Sequence, residues 1–260
     1  MGIRRRTLPW SRPRVYVNDL LHFARQVPSI PVQRECYLGP LLAVRSSLPP
    51  PRPPWYVLFI KAYALVAQEM PPLRRAYCAF PRPHLVEYDR SVAAVAVERD
   101  WEGEKVVLTV RLKHPERLPL SVLTSRLRWA QSAPLEQVKD FRRVLWLSGL
   151  PRPLRRLLWW FTLNCSRYRG NACGTFGLSS YSALGAESLH PLSPLTTTLN
   201  YGVIDSQGNT RVRIVYDHRV LDGATVARAL HRLEEILNTH IRTELLTGKP
   251  AETKITLPVA

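Results

Sequence analysis

Val215-Tyr216-Asp217-His218-Arg219-Val220-Leu221-Asp222-Gly223-Ala224 is the stretch on which the reading turns. Just ahead of it, residues 211–216 alternate polar and apolar side chains and are rich in β-branching, the pattern of a half-buried strand. Asp222-Gly223 is a turn dipeptide. Beyond it, apolar residues recur at Val226, Ala227, Leu230, Leu233, Ile236 and Leu237, a helical period. The sequence thus predicts strand, turn and helix, with His218 fixed at the junction as a proton-transfer group must be. Taken alone, His-x-x-x-Asp-Gly is a weak pattern, and a lone histidine near a strand end is more often structural than catalytic.

A second segment, Gly174-Thr175-Phe176-Gly177-Leu178-Ser179-Ser180-Tyr181-Ser182-Ala183-Leu184-Gly185, lies upstream. The run 217–224 resembles the active-site signature of the dihydrolipoyl acyltransferases, core enzymes of 2-oxo acid dehydrogenase complexes. Its His-x-x-x-Asp-Gly part is shared with chloramphenicol acetyltransferase. The 174–185 segment is similar to the same family's Gly-Thr-Phe-Thr-Ile-Ser-Ser/Asn-Leu-Gly, and the two occur in the family's order. Leu58-Phe59-Ile60-Lys61-Ala62-Tyr63-Ala64-Leu65-Val66 resembles its long helix of the type Phe-Ile-Ile-Lys-Ala-x-Ala-x-Ala.

The resemblance implies an α/β chain, an α+β two-layer sandwich with the chloramphenicol-acetyltransferase-like fold: a mixed sheet with helices on one face. It implies acyl transfer between coenzyme A and a thiol or hydroxyl, with His218 as general base and Ser179 steadying the oxyanion. Asp222 would brace the turn; in the family an arginine near the N-terminus pairs with it, and here His22 falls at that place, with Arg14 and Arg25 nearby. Ser180 and Gly223 would lie along the coenzyme. In the family the serine and histidine come from different subunits of a homotrimer, and trimers build cages. No covalent acyl-enzyme is implied. Family members carry a lipoyl domain ahead of the core, whereas this sequence opens almost at the core, so a lipoyl arm would come from another polypeptide. The expectation is a stand-alone acyltransferase with an unidentified acceptor. The alternative is a non-catalytic or carrier-dependent structural core.

Composition bounds the rest. The 260 residues carry a formal net charge of +17, mostly arginine spread along the chain. Such a field attracts phosphates, acidic proteins or anionic membrane, and equally suits a plainly basic surface. No recognised nucleic-acid motif accompanies it, so no specific nucleic-acid partner is expected. Cys36, Cys78, Cys165 and Cys173 have no metal-ligand spacing. They read as core residues of a reducing compartment, and the expectation is a cytoplasmic protein, either free or peripheral at the inner membrane surface.

Residues 1–15 read as a basic arm, 16–246 as a single catalytic domain and 247–260 as a polar tail. A helix is predicted over 17–25, one or two strands over 30–44, and a stiff connector at 49–54. A buried helix follows over 55–70, then strands at 92–97 and 106–112 around a turn at 100–104, and a helix over 119–131. Another strand is predicted over 195–202, where Thr196, Thr198 and Asn200 share a face: either ordinary strand residues or the lining of a channel. The segment 134–169 departs from the family. Its stretch 141–161 mixes arginine pairs with leucine and tryptophan. That pattern fits an element in a membrane interface, a cover over the domain's own apolar surface, or a lid over an acyl pocket.

Overall fold

The computed structural model describes Ile3 and residues 5–249. Helix α1 (Arg12–Ala24) leads to strand β1 (Ser29–Tyr37), helix α2 (Gly39–Ser47) and helix α3 (Trp55–Glu69). Strands β2 (Arg75–Cys78), β3 (His84–Glu87), β4 (Val92–Trp101) and β5 (Glu104–Lys113) follow. Four helices come next: α4 (Leu120–Ser132), α5 (Lys139–Ser148), α6 (Arg152–Asn164) and α7 (Ser166–Cys173). Strands β6 (Phe176–Leu178), β7 (Thr197–Tyr201) and β8 (Asn209–Asp217) precede helix α8 (Gly223–Ile236) and a π-helical turn (Leu237–Ile241), and α9 (Arg242–Thr247) closes the described chain. Most of the expected tail lies outside the described residues.

Six strands form one sheet in the order β1-β8-β7-β6-β4-β5, with β2 and β3 a separate pair. The sheet is mixed: β4, β6 and β7 run parallel, the other neighbours antiparallel. Alternation along the strands sorts the residues. Val106, Leu108, Val110 and Leu112 of β5, Phe176 and Leu178 of β6, and Val212, Ile214 and Tyr216 of β8 belong to one core cluster with α3, α4 and α8. Helix α3 is buried from Val57 to Ala67. Phe59 stacks on Tyr201 at 4.2 Å, and the Tyr63 ring lies 4.5 Å from Phe176 while its hydroxyl donates to Thr197 Oγ1 at 2.7 Å. These contacts pin β6 and β7 beneath α3, and Ser179 follows β6 directly. Lys61 is buried in this helix and survives there because Glu244 Oε2 lies 2.5 Å away and Leu118 O accepts a bond at 2.8 Å.

Several elements differ from the sequence expectation. The first helix begins at Arg12, where Pro13 suits the first turn. Only the first half of 30–44 is strand; Pro40 opens helix α2 in the second half. The β4–β5 turn is tighter than predicted, two residues with positive φ at Glu102 and Gly103. The 141–161 stretch is two helices, broken at Gly149-Leu150-Pro151.

Those two helices and α1 stand over the second face of the sheet. Tyr16 of α1 bonds Thr109 of β5 at 2.9 Å, and Asp140 of α5 accepts from Arg111 N at 2.8 Å and Nε at 2.9 Å. Helix α6 is tied to α1 by Asp19, fully buried, which accepts from Arg155 and, at 2.8 Å, from Arg156. Trp159 stacks on Phe23 at 6.0 Å and lies 5.9 Å from Tyr16. The outer side of this cover exposes Trp146, Leu157 and Phe161. No described helix is long and apolar enough to cross a membrane.

Candidate active site

Strand β8 carries the chain to its end at Asp217, where main-chain bonds hold both sides. Asp217 N donates to Thr196 O at 2.8 Å and His218 N to Pro28 O at 3.0 Å. The turn is then closed by a clamp absent from the sequence reading. Asp217, with no exposed side-chain surface, accepts from Arg219 N, Nε and Nη2 at 2.8–3.0 Å. The Arg219 guanidinium also lies over the Tyr77 ring at 4.2 Å. An acidic and a basic residue flanking the histidine were visible in the sequence, but their pairing depends on the turn, which sequence periodicity does not describe.

His218 Nδ1 lies 3.0 Å from Leu221 O. A carbonyl only accepts, so Nδ1 carries the proton and Nε2 keeps its lone pair. The edge of the Tyr216 ring backs the imidazole at 5.6 Å. Burial, followed by the Asp222 carboxylate, pushes the Tyr216 phenol up, keeping it neutral beside the base. The imidazole is 46% exposed.

Asp222 occupies the position just before α8 without a side-chain capping bond, and its Oδ1 lies 3.9 Å from His218 Nδ1. Its side chain is 85% exposed, and among the described residues His218 alone forms an ion pair with it. The arginine brace that the resemblance implied is therefore not made within one chain: Arg14 pairs with Glu104, and Asp217–Arg219 holds the turn instead. Gly223 opens α8 without positive φ, and a Cβ there would meet the Tyr216 hydroxyl at 3.4 Å.

Ser179 follows β6, with its N–H on Leu199 O at 3.1 Å and its carbonyl accepting from Asn200 Nδ2 at 2.5 Å. Ser180 turns inward, donating to Tyr201 O at 3.0 Å with Ser182 Oγ at 3.0 Å. Ser179 borders a cavity of about 420 Å³ between the second sheet face and the cover of α1, α5 and α6. His218 does not line it. Register explains why: Ser179 is level with Arg213, five residues before His218 and two strands away. At strand spacings of about 3.3 Å along and 4.8 Å across, their Cα atoms are roughly 20 Å apart. The structure does not bring them together in one chain.

Cys173 lines the same cavity. Burial raises its thiol pKa, with Arg169 only partly offsetting this, so thiolate is scarce and the group is a poor nucleophile. All four cysteines are free, and no cluster of three or more His, Cys, Asp or Glu that could hold a metal occurs among the described residues.

No protein-family model matches the sequence, and no curated protein matches it either. Solved structures do match. The dihydrolipoamide acetyltransferase of Azotobacter vinelandii, solved to probe the roles of a serine, a histidine and an asparagine in its mechanism, is 19% identical. It superposes with a TM-score of 0.71 over 94% of each chain. The cubic core of a pyruvate dehydrogenase multienzyme complex gives 0.64 at 18% identity, again over 94% of each. Chloramphenicol acetyltransferase gives 0.51 at 15% identity, over 88% of this chain and 96% of that one. With its six-stranded mixed sheet and its helical layer on α3, α4 and α8, the chain has the fold shared by dihydrolipoamide acetyltransferase catalytic cores and chloramphenicol acetyltransferase.

Proposed function

We propose that the chain is a cytoplasmic, coenzyme A-dependent acyltransferase acting as a homotrimer, in which His218 of one copy meets Ser179 of the next. The observation that carries the reading is the His218 imidazole, partly exposed just past the end of β8, with its Nδ1–H held by Leu221 O so that Nε2 is left to accept a proton. A thiol or hydroxyl acceptor gives its proton to Nε2 as its sulfur or oxygen attacks the thioester carbonyl. The tetrahedral oxyanion takes a hydrogen bond from the Ser179 hydroxyl, an interaction of about 3 kcal/mol. Collapse breaks the carbon–sulfur bond, and the departing coenzyme A thiolate takes the proton back from His218. Asp222, just ahead of α8 with its Oδ1 3.9 Å from Nδ1, supports the turn that carries the imidazole and takes no proton itself.

The separation of roughly 20 Å between the two groups supports a site shared by two copies. Likeness to a cubic core supports further assembly and favours a second reading, a structural core without turnover. Incubation with acyl-coenzyme A donors and a small thiol separates the two. Free coenzyme A should appear, and His218→Ala should cut its release by about 10²–10⁴-fold. A large symmetric particle with no release, or a rate unmoved by His218→Ala, would sink the catalytic reading.

A further inference from the structure

The cavity beside Ser179 has features that a pocket for an acetyl group does not need. Its walls are Leu20 and Leu21 of α1, Val144 and Leu147 of α5, Trp159 of α6, and Leu195. Its floor is the sheet face at Ala94, Ala96, Gly177 and Thr198, side chains too small to fill the gap beneath the helices. At about 30 Å³ per chain carbon, close to a water's share of liquid volume, an acetyl group takes about 60 Å³ and an eight- to ten-carbon chain about 240–300 Å³. Against a volume of about 420 Å³, only the longer chain makes use of the space.

Polar side chains also line the cavity, Arg14, Thr109, Arg111, Asp140 and Arg143 among them, and one polar group of the lining is left without a partner. Thr198 is 5% exposed, and its Oγ1 is buried without a hydrogen-bond partner. Gly177, beside it on β6, sets no side chain against that hydroxyl; a Cβ at 177 would come within 3.1 Å of it. A buried hydroxyl without a partner in the wall of a cavity calls for one in the ligand. Thr198 lies one strand across from Ser179 and two residues back in register, so the two Cα atoms are roughly 8 Å apart. A carbonyl oxygen at Ser179 and an oxygen two carbons further along the chain would match the two hydroxyls.

Resting on the transferase reading, we propose that this cavity is an acyl-chain pocket for a medium-chain thioester of about six to ten carbons, carrying a 3-hydroxy or 3-oxo group that bonds Thr198. The cover of α1, α5 and α6 is its roof. The test compares acetyl-, octanoyl- and 3-hydroxyoctanoyl-coenzyme A as donors to the full-length protein. Expected kcat/KM rises about tenfold or more from the first to the second, and again from the second to the third. Ala96→Phe, which fills the floor away from the helix-side core, should abolish the advantage of both long donors over acetyl. Thr198→Val, equal in shape, should erase only the difference between the last two and leave thermal stability intact. Acetyl as the best donor, or an unchanged profile in Ala96→Phe, would overturn the proposal while leaving the transferase standing. If no donor releases thiol, binding decides: saturable quenching of tryptophan fluorescence by 3-hydroxyoctanoate, lost in Ala96→Phe, supports the pocket without transfer, and absence of binding overturns it.

Discussion

Ser179 and Ser180 are neighbours in sequence but differ in what their side chains can reach. Ser180 spends its hydroxyl on Tyr201 O, and Ser179 borders the cavity. Ser179→Ala should therefore lower turnover by about 10²–10³-fold with little change in KM. Ser180→Ala should cost about 1 kcal/mol of stability while turnover stays within a few-fold. Steady-state kinetics and urea melts on the two variants check both. At this scale the sequence was informative about which residues to suspect and less so about their partners. His218 and Asp222 stood out by their pattern. The Asp217–Arg219 clamp and the Nδ1 bond to Leu221 O did not, because both depend on a turn whose dihedral angles leave no periodic trace.

Among the elements, those with an uninterrupted apolar rhythm were legible. The predicted 55–70 helix and 119–131 helix match α3 and α4 within a residue or two, since each buries a face against the sheet. Residues 30–44 misled because loose alternation continues past Tyr37, while Pro40 starts a helix. The 141–161 stretch left three uses open because an arginine–tryptophan helix looks the same whatever it covers. Which side faces inward is set by Asp19, a residue far away in sequence. Asp19→Ala would leave Arg155 buried without its carboxylate, a loss of about 3–5 kcal/mol. Urea unfolding should register that loss, and Trp159, released from Phe23 and Tyr16, should shift its emission to longer wavelength.

For the whole molecule, the telling quantity is the separation of His218 from Ser179 across two strands of the sheet. If neighbouring copies complete each other's sites, two dead variants should rescue one another. Mixed and refolded at equal amounts, His218→Ala and Ser179→Ala chains would combine an intact histidine with an intact serine at about a quarter of the interfaces of a cyclic trimer. Recovery of about a quarter of wild-type turnover is the expected result, and none would place both groups' work within one chain. On that reading, the same division of labour would make the rate sensitive to the protein's own abundance. Once dilution drives monomers apart, each carries half of an apparatus, so the rate per polypeptide should fall with falling protein concentration and recover when the solution is concentrated again.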